Sequence, residues 1–231
     1  MQATDSPTYA TVPVWTEIFP GIYEGRPTTL EEKNNLEIRI KLSGLPLSTN
    51  ETHRFSTWNH LPEFEEPYHQ VYDYASGRRK HPFLTLIGPP GTGKTHLAAA
   101  VAWSWLEHLR KSVSYYQVET LLDTLRNSYN RTEHKADERA EVILNYVSKC
   151  SLTVLDDLGA ESVTEWAWSK LDAIVDYRYI NKLPLVVTSN VAPERLPPRI
   201  ADRLFEGQVV VLKGESYRRR EKNASNLPAP R

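Results

Sequence analysis

A three-layer α/β fold, a parallel β-sheet covered by helices on both faces, is the architecture that three features of the sequence predict. Short apolar runs alternate with longer segments of helical period between residues 83 and 212. Polar residues gather just after those runs, at the strand ends where ligands of such sheets bind. Between the first run and its helix lies Gly88-Pro89-Pro90-Gly91-Thr92-Gly93-Lys94-Thr95. It fits the phosphate-binding loop pattern G-x-x-x-x-G-K-[ST] at every fixed position.

Both flanks of that loop carry the right context. Phe83 to Ile87 is an apolar run of strand length, and after it Leu97, Val101, Trp105 and Leu109 recur at helical spacing between His96 and Leu109. Glycines let the backbone approach a polyphosphate, whose charge is met by turned-in N–H groups and the helix N-terminus. Lys94 adds a point charge on the β- and γ-phosphates, and the Thr95 hydroxyl is a ligand for Mg²⁺. The loop and the adjoining His96 are therefore the candidate nucleotide-binding residues, with ATP and Mg²⁺ as the implied ligands. Strand, loop and helix in this order predict a P-loop NTPase.

Composition sets the outer bounds. The 231 residues suit one domain, or one with a smaller extension. Hydrophobic content of 40% and charged content of 25% are ordinary for a soluble globular chain. No run approaches the roughly 18 apolar residues that span a membrane. The start shows no basic region followed by an apolar one, so no secretory signal is visible. Cys150 is the single cysteine, which excludes an intramolecular disulfide and makes a reducing cytoplasm the expected compartment. Its expected role is small buried packing at a strand edge. The formal net charge of −1 supplies no global basic field, so any DNA contact must come from a local patch or from several subunits together. The seven histidines do not fall at metal-ligand spacing. His53, His60 and His69 read as surface or packing residues.

The remaining elements follow in order. Residues 1–28 are broken by Pro7, Pro13, Pro20 and Pro27; Trp15, Ile18, Phe19 and Tyr23 either dock on a surface or belong to an irregular arm. Thr29-Leu30-Glu31-Glu32 is a capping-box pattern that opens a helix to about Leu42, ended by Gly44 and Pro46. Residues 47–62 read as a loop holding Phe55 and Trp58, and Glu63 to Ser76 as a helix. The basic run Gly77 to His81 is a solvated turn or a nucleic-acid contact. Beyond the first helix, strands are expected at Ser112–Gln117, Leu152–Leu155, Leu185–Thr188 and Gln208–Leu212. Helices are expected at Val118–Tyr129, Asp137–Lys149 and Thr164–Ile180, with a polar break from Asn130 to Lys135. Strands alternating with helices make the sheet parallel. A division follows into an N-terminal arm and helix (1–50, a candidate partner-binding segment), an ATPase domain (51–220) and a tail (221–231).

The strand ends carry the chemistry. Leu152-Thr153-Val154-Leu155 runs into Asp156-Asp157, about 60 residues after the phosphate loop, which is the Walker B arrangement. Asp156 is the candidate Mg²⁺ ligand, and Asp157 the residue that orients or deprotonates the attacking water. Asn190 ends the next strand and can bridge that water and the γ-phosphate, the sensor 1 role; a strand-end Asn capping a turn is the plainer alternative. Arg199 and Arg203 lie four residues apart, on one helix face. Arg203 is the first choice and Arg199 the second for an arginine that reaches a neighbour's γ-phosphate. A surface salt bridge with Asp202 or Glu206 is the competing reading. Arg218 is either a sensor 2 contact to nucleotide or part of a solvated basic tail.

These residues together resemble the AAA+ ATPases of the bacterial helicase-loader family (DnaC-like) and the related transposition ATPases (IstB-like). The resemblance spans roughly residues 36–220. It rests on the phosphate loop through Ala98, Leu155 to Gly159, Tyr177-Arg178-Tyr179, Thr188-Ser189-Asn190, Arg199 to Leu204 and Gly214 to Arg218. It implies an AAA+ RecA-like sheet without a helical lid, assembly into open ring or helical oligomers, and an arginine finger acting across the subunit boundary. It also implies a replicative helicase hexamer as partner, bound through the N-terminal segment, and single-stranded DNA. A helical insertion within about 118–149 would line the oligomer, with Arg126, Arg131 and Lys135 as phosphate contacts diluted by Glu133, Asp137 and Glu138. The chain departs from the family in its short N-terminal part, which has no zinc-binding cysteines. Asp157 stands where many AAA+ proteins carry Glu, although this family often shows Asp there. Three functions compete: an ATP-dependent helicase loader, an IstB-like transposition ATPase acting on duplex DNA, and a weakly hydrolysing nucleotide-switch adaptor. A small-molecule kinase is disfavoured, because Asp156, Asp157, Asn190 and Arg203 form a water-activating set.

Overall fold

Alternation of buried side chains along the strands decides how the layers stack. In a computed structural model of the chain, the structure describes residues 15–19, 22–25, 30–129, 135–159, 164–217 and 219–220, with side chains from residue 35 on except 129 and 135–139. The elements in order are β1 (Trp15–Phe19), β2 (Ile22–Gly25), α1 (Leu30–Ser43), α2 (Thr49–Thr52), α3 (Glu65–Ala75), β3 (Phe83–Ile87) and α4 (Lys94–Glu107). Then come β4 (Val113–Gln117), α5 (Val118–Tyr129), α6 (Lys135–Lys149), β5 (Leu152–Leu158), α7 (Glu165–Ile180), β6 (Leu185–Ser189), α8 (Pro198–Glu206) and β7 (Gln208–Val211). Strands β3 to β7 form one five-stranded sheet in the order β4-β5-β6-β3-β7. Every pairing in it is parallel.

Side chains of consecutive strand residues leave opposite faces, and each face has its own core. Leu84, Leu86, Val154 and Val186 pack on one side with α3 and α4. Phe83, Leu155, Leu185 and Val187 pack on the other with α5, α7 and α8. Helix α4 is buried nearly all round, from Leu97 to Leu106, because the sheet lies on one side of it and α1 and α3 on the other. Each fully buried Leu or Val in these layers contributes roughly 1.5–3 kcal/mol. The chain leaves β3 into α4 on the first face and leaves β6 toward α8 on the second. The crevice outside the carboxyl ends of these neighbouring strands is therefore the topological switch point, where such folds bind ligands.

Two stretches differ from the sequence reading. Trp15–Phe19 and Ile22–Gly25 pair as an antiparallel two-stranded sheet, which the proline-broken pattern of residues 1–28 does not predict. The supposed loop at 47–62 contains α2 and 3₁₀ turns at Phe55–Thr57 and Pro62–Phe64. Short turns of this kind carry no hydrophobic period, so pattern reading passes over them. The Thr29 cap falls outside the described residues. Among those residues no helix is long and apolar enough to cross a membrane.

Arg178 is the unusual buried group. It is fully enclosed in α7, and its guanidinium donates to the carbonyls of Val147 (3.0 Å), Ser148 (3.0 Å), Cys150 (3.1 Å) and Pro184 (2.5 Å). It thus caps the end of α6 and ties the entries of β5 and β6 together, with buried Cys150 beside it. Arg178→Ala would leave the Ser148 and Cys150 carbonyls without a donor, whereas Val147 O keeps the Thr153 hydroxyl at 2.6 Å and Pro184 O the Thr153 N–H at 3.2 Å. The substitution is expected to lower folding stability by about 3 kcal/mol or more in urea denaturation. A variant as stable as the parent would show that water satisfies the carbonyls instead.

Candidate functional site

The phosphate loop is shaped by glycines at positions where a side chain would be strained and crowded. Gly91 (φ +81°) and Gly93 (φ +92°) are left-handed, and Gly93 is the N-cap of α4. A Cβ on Gly93 would come within 2.6 Å of the Trp58 ring, and one on Gly91 would collide with Ser216. The Thr92 hydroxyl donates to Pro89 O at 2.9 Å. The buried Lys94 ammonium folds back under the loop and donates to Gly88 O and Pro89 O, each at 2.8 Å. Burial lowers its pKa, while the charges of Asp157 and Asp156 push it back up.

Asp156 lies at the tip of β5, on the sheet face that carries α4, and is 1% exposed. Its Oδ1 accepts from Thr95 Oγ1 at 3.1 Å and Thr188 Oγ1 at 2.6 Å, and its Oδ2 from the Tyr115 hydroxyl at 2.9 Å. A carboxylate and a hydroxyl in contact at the mouth of a phosphate loop are hard oxygen donors, the set that suits Mg²⁺. Burial, and after it the Asp156 charge, pushes the Tyr115 phenol pKa up.

Strict alternation would send Asp157 to the opposite face of the sheet. Instead its backbone is left-handed (φ +63°) and the β5–β6 register slips between Leu155 and Leu158. The side chain thereby joins the wall of the same cleft. Asn190 Nδ2 donates to Asp157 Oδ1 at 2.5 Å. Lys94, Thr95, Asp156, Asp157 and Asn190 are thus gathered at one place.

The cleft has a volume of about 450 Å³. Its second wall comes from residues that sequence reasoning missed as a site: Thr52, His53, Thr57, Trp58, Asn59 and Tyr217. The Tyr217 N–H donates to Gly91 O at 3.0 Å, its hydroxyl donates to Asn59 O at 2.8 Å, and its ring meets Trp58 edge-on at 5.5 Å. His96 donates from Nε2 to Arg54 O at 2.8 Å, and its ring lies 5.0 Å from that of His53. Burial lowers the pKa of both histidines; the Asp156 charge opposes this at His53, and the bond to the Arg54 carbonyl opposes it at His96. His53 therefore belongs to the cleft rather than to plain surface, whereas His60 and His69 pair with Glu65. Arg54 anchors this wall to α4, donating to Glu107 Oε1 at 2.9 Å and lying 4.3 Å over the Trp103 ring.

Other expected site residues lie elsewhere. Arg199 and Arg203 sit on α8 and do not line the cleft. Each pairs with Asp172 and Asp176 of α7, not with Asp202 or Glu206. The reason is geometric: aspartates four apart on one helix face arginines four apart on its neighbour. Glu206 instead accepts from the Tyr179 hydroxyl at 2.5 Å. Arg126 pairs with Asp123 at 3.1 Å and lies 5.6 Å over the Trp166 ring. Arg131, Arg218 and the Lys135 side chain fall outside the described residues.

Comparison with known proteins agrees with this geometry. A family model described as IstB-like ATP binding protein matches residues 69–225. The replicative helicase loader DnaI of Bacillus subtilis is 31% identical over 144 residues, covering 62% of this chain and 42% of the relative. The replicative helicase loader DnaC of Escherichia coli K12 is 32% identical over 140 residues, covering 58% of this chain and 55% of the relative. The chain spans about half the length of the curated relatives it matches. Among solved structures, the DnaC helicase loader superposes with a TM-score of 0.63 at 20% identity, over 73% of this chain and 100% of that one. AMPPCP-bound DnaA from Aquifex aeolicus superposes with a TM-score of 0.63 at 20% identity, over 81% of this chain and 58% of that one. With its glycine loop, paired acids and sheet order all inside the matched span, which is more than half of the chain, the protein belongs to the family of IstB-like ATP-binding proteins.

Proposed function

We propose that the protein hydrolyses ATP in this cleft and acts as a loader of a replicative helicase, its nucleotide state controlling self-association and the grip on helicase and single-stranded DNA. The observation that carries the ATPase reading is the meeting of two differently held acids beside the phosphate loop. Asp156 is buried against Thr95, and Asp157 faces the cleft under Asn190. In this reading the loop amides and Lys94 hold the phosphates, and Asp157 with Asn190 orients the attacking water. The second wall, Trp58 and Tyr217 above all, houses the base. Thr95 and Asp156 would hold Mg²⁺, which when bound neutralises charge on the β- and γ-oxygens. Arg203, or after it Arg199, reaches the γ-phosphate of an adjoining subunit in an open ring or helical oligomer. Arg218 contacts nucleotide, and Arg126, Arg131 and Lys135 contact DNA phosphates.

The loader reading draws support from two relatives named as replicative helicase loaders. The IstB-like family description supports a second reading, a transposition ATPase on duplex DNA. Binding and turnover assays separate the two. A loader co-purifies with a hexameric helicase, loses it when residues 1–50 are deleted, and hydrolyses ATP faster with single-stranded DNA. Stimulation by duplex DNA alone, with no helicase retained, would replace the loader by the transposition ATPase.

A further inference from the structure

The two strand-end acids are adjacent in sequence yet held in opposite ways, and one hydroxyl lies between them. Thr188 is buried in β6, on the sheet face that carries Asp156. Its Oγ1 donates to Asp156 Oδ1 at 2.6 Å and accepts the Asp157 backbone N–H at 2.8 Å. A hydroxyl has one proton to give, so the two bonds are directional. The first holds the carboxylate, and the second holds the backbone of the next residue.

That second bond falls where the sheet ladder fails. Leu155 pairs with Val187 and Leu158 with Ser189, and the register slips between them. Side-chain hydroxyls of β6 take over in the gap: Thr188 receives the Asp157 N–H, and Ser189 Oγ donates to Leu158 O at 2.7 Å. The slip is also where Asp157 takes its left-handed backbone, φ +63°, which Asp tolerates better than most non-glycine residues but which still costs energy relative to an extended strand and is held by its surroundings. Without a bond on its N–H, Asp157 is free to relax to an extended backbone, which would turn its carboxylate away from Asn190 and the cleft.

We infer that Thr188 is a positioning residue for hydrolysis: its hydroxyl fixes Asp156 and holds Asp157 in the left-handed turn that aims the latter's carboxylate into the cleft. The inference rests on the ATPase reading above. Nucleotide binding belongs to the phosphate loop, so Thr188 should govern turnover and not affinity.

Thr188→Val keeps the shape and β-branching of the side chain and removes both hydrogen bonds, while Thr188→Ser restores them. In Thr188→Val, kcat is expected to fall about 100-fold, as for a misplaced reacting group, with KM and the Kd of a fluorescent ATP analogue within about threefold of the parent. Thr188→Ser should recover most of kcat, which a merely structural role of the methyl group would not allow. Amide exchange followed by NMR reads the bond without any turnover: the Asp157 N–H should be strongly protected in the parent and exchange far faster in Thr188→Val. An Asp157 amide unprotected in the parent would overturn the inference even if Thr188→Val did not fold. So would Thr188→Val with undiminished kcat, or Thr188→Ser as slow as Thr188→Val. A parent chain that turned over no ATP would count against the proposed function, while the exchange measurement still decided the hold of Thr188 on Asp157.

Discussion

Lys94→Ala is expected to weaken ATP binding by about 100-fold or more. The ammonium sits beneath the phosphate loop, buried, and is held at 2.8 Å by two loop carbonyls. It is therefore positioned before any ligand arrives, and little ordering is left to be done when phosphate replaces a carbonyl as its partner. Two charge-assisted hydrogen bonds to phosphate oxygens at about 1.5 kcal/mol or more each come to about 3 kcal/mol, and 1.4 kcal/mol is a factor of ten. Gly88 is half-buried and Pro89 exposed, so water can take the place of the ammonium and the melting temperature should change little. Titration with a fluorescent ATP analogue checks the first point and thermal unfolding without nucleotide the second. Unaltered affinity would remove the phosphate loop from the site.

Arg203→Ala should leave ATP affinity near that of the parent and lower turnover by about 1,000-fold, the scale of a lost arginine finger. In the single chain Arg203 is 15% exposed and braced by Asp172 and Asp176, whereas Arg199 is 61% exposed against the same two acids. Removing either arginine leaves the other to balance the carboxylates, so the fold should survive both substitutions. The two variants can therefore be compared directly in turnover. Mixing Arg203→Ala subunits with Asp157→Ala subunits should restore part of the activity, since some boundaries would then join an intact finger to an intact acid. No recovery at any ratio would exclude action between subunits. A larger loss in Arg199→Ala than in Arg203→Ala would move the finger to Arg199.

The parts of this chain with a strong local period are legible in the sequence. Phe83–Ile87 and Val118–Tyr129 fall where the pattern puts them, because apolar runs and helical stripes are made by neighbours in sequence. The phosphate loop is legible for a different reason: its glycines are demanded by backbone angles that the spacing encodes. The second wall of the cleft is not legible. Trp58, Asn59 and Tyr217 meet only because the C-terminal segment comes back over Gly91, a contact across more than a hundred residues that leaves no local signature. The left-handed Asp157 is hidden as well. Nothing in Leu155-Asp156-Asp157 announces a positive φ, since the turn is imposed by Thr188 from the neighbouring strand. The partners of Arg199 and Arg203 escape sequence reading because α7 and α8 register against each other in space, while the sequence offers the nearer Asp202 and Glu206.

A crystal structure with Mg²⁺ and a non-hydrolysable ATP analogue is the most direct test of a triphosphate seated between the phosphate loop and the strand tips. The expected result has the polyphosphate against the Gly91 to Thr95 backbone, with Lys94 Nζ turned from the carbonyls of Gly88 and Pro89 to the terminal phosphates. Mg²⁺ would be held by Thr95 and Asp156, with Asp157 and Asn190 facing the γ-phosphate. A nucleotide bound anywhere else, or a γ-phosphate pointing away from Asp157 and Asn190, would contradict it.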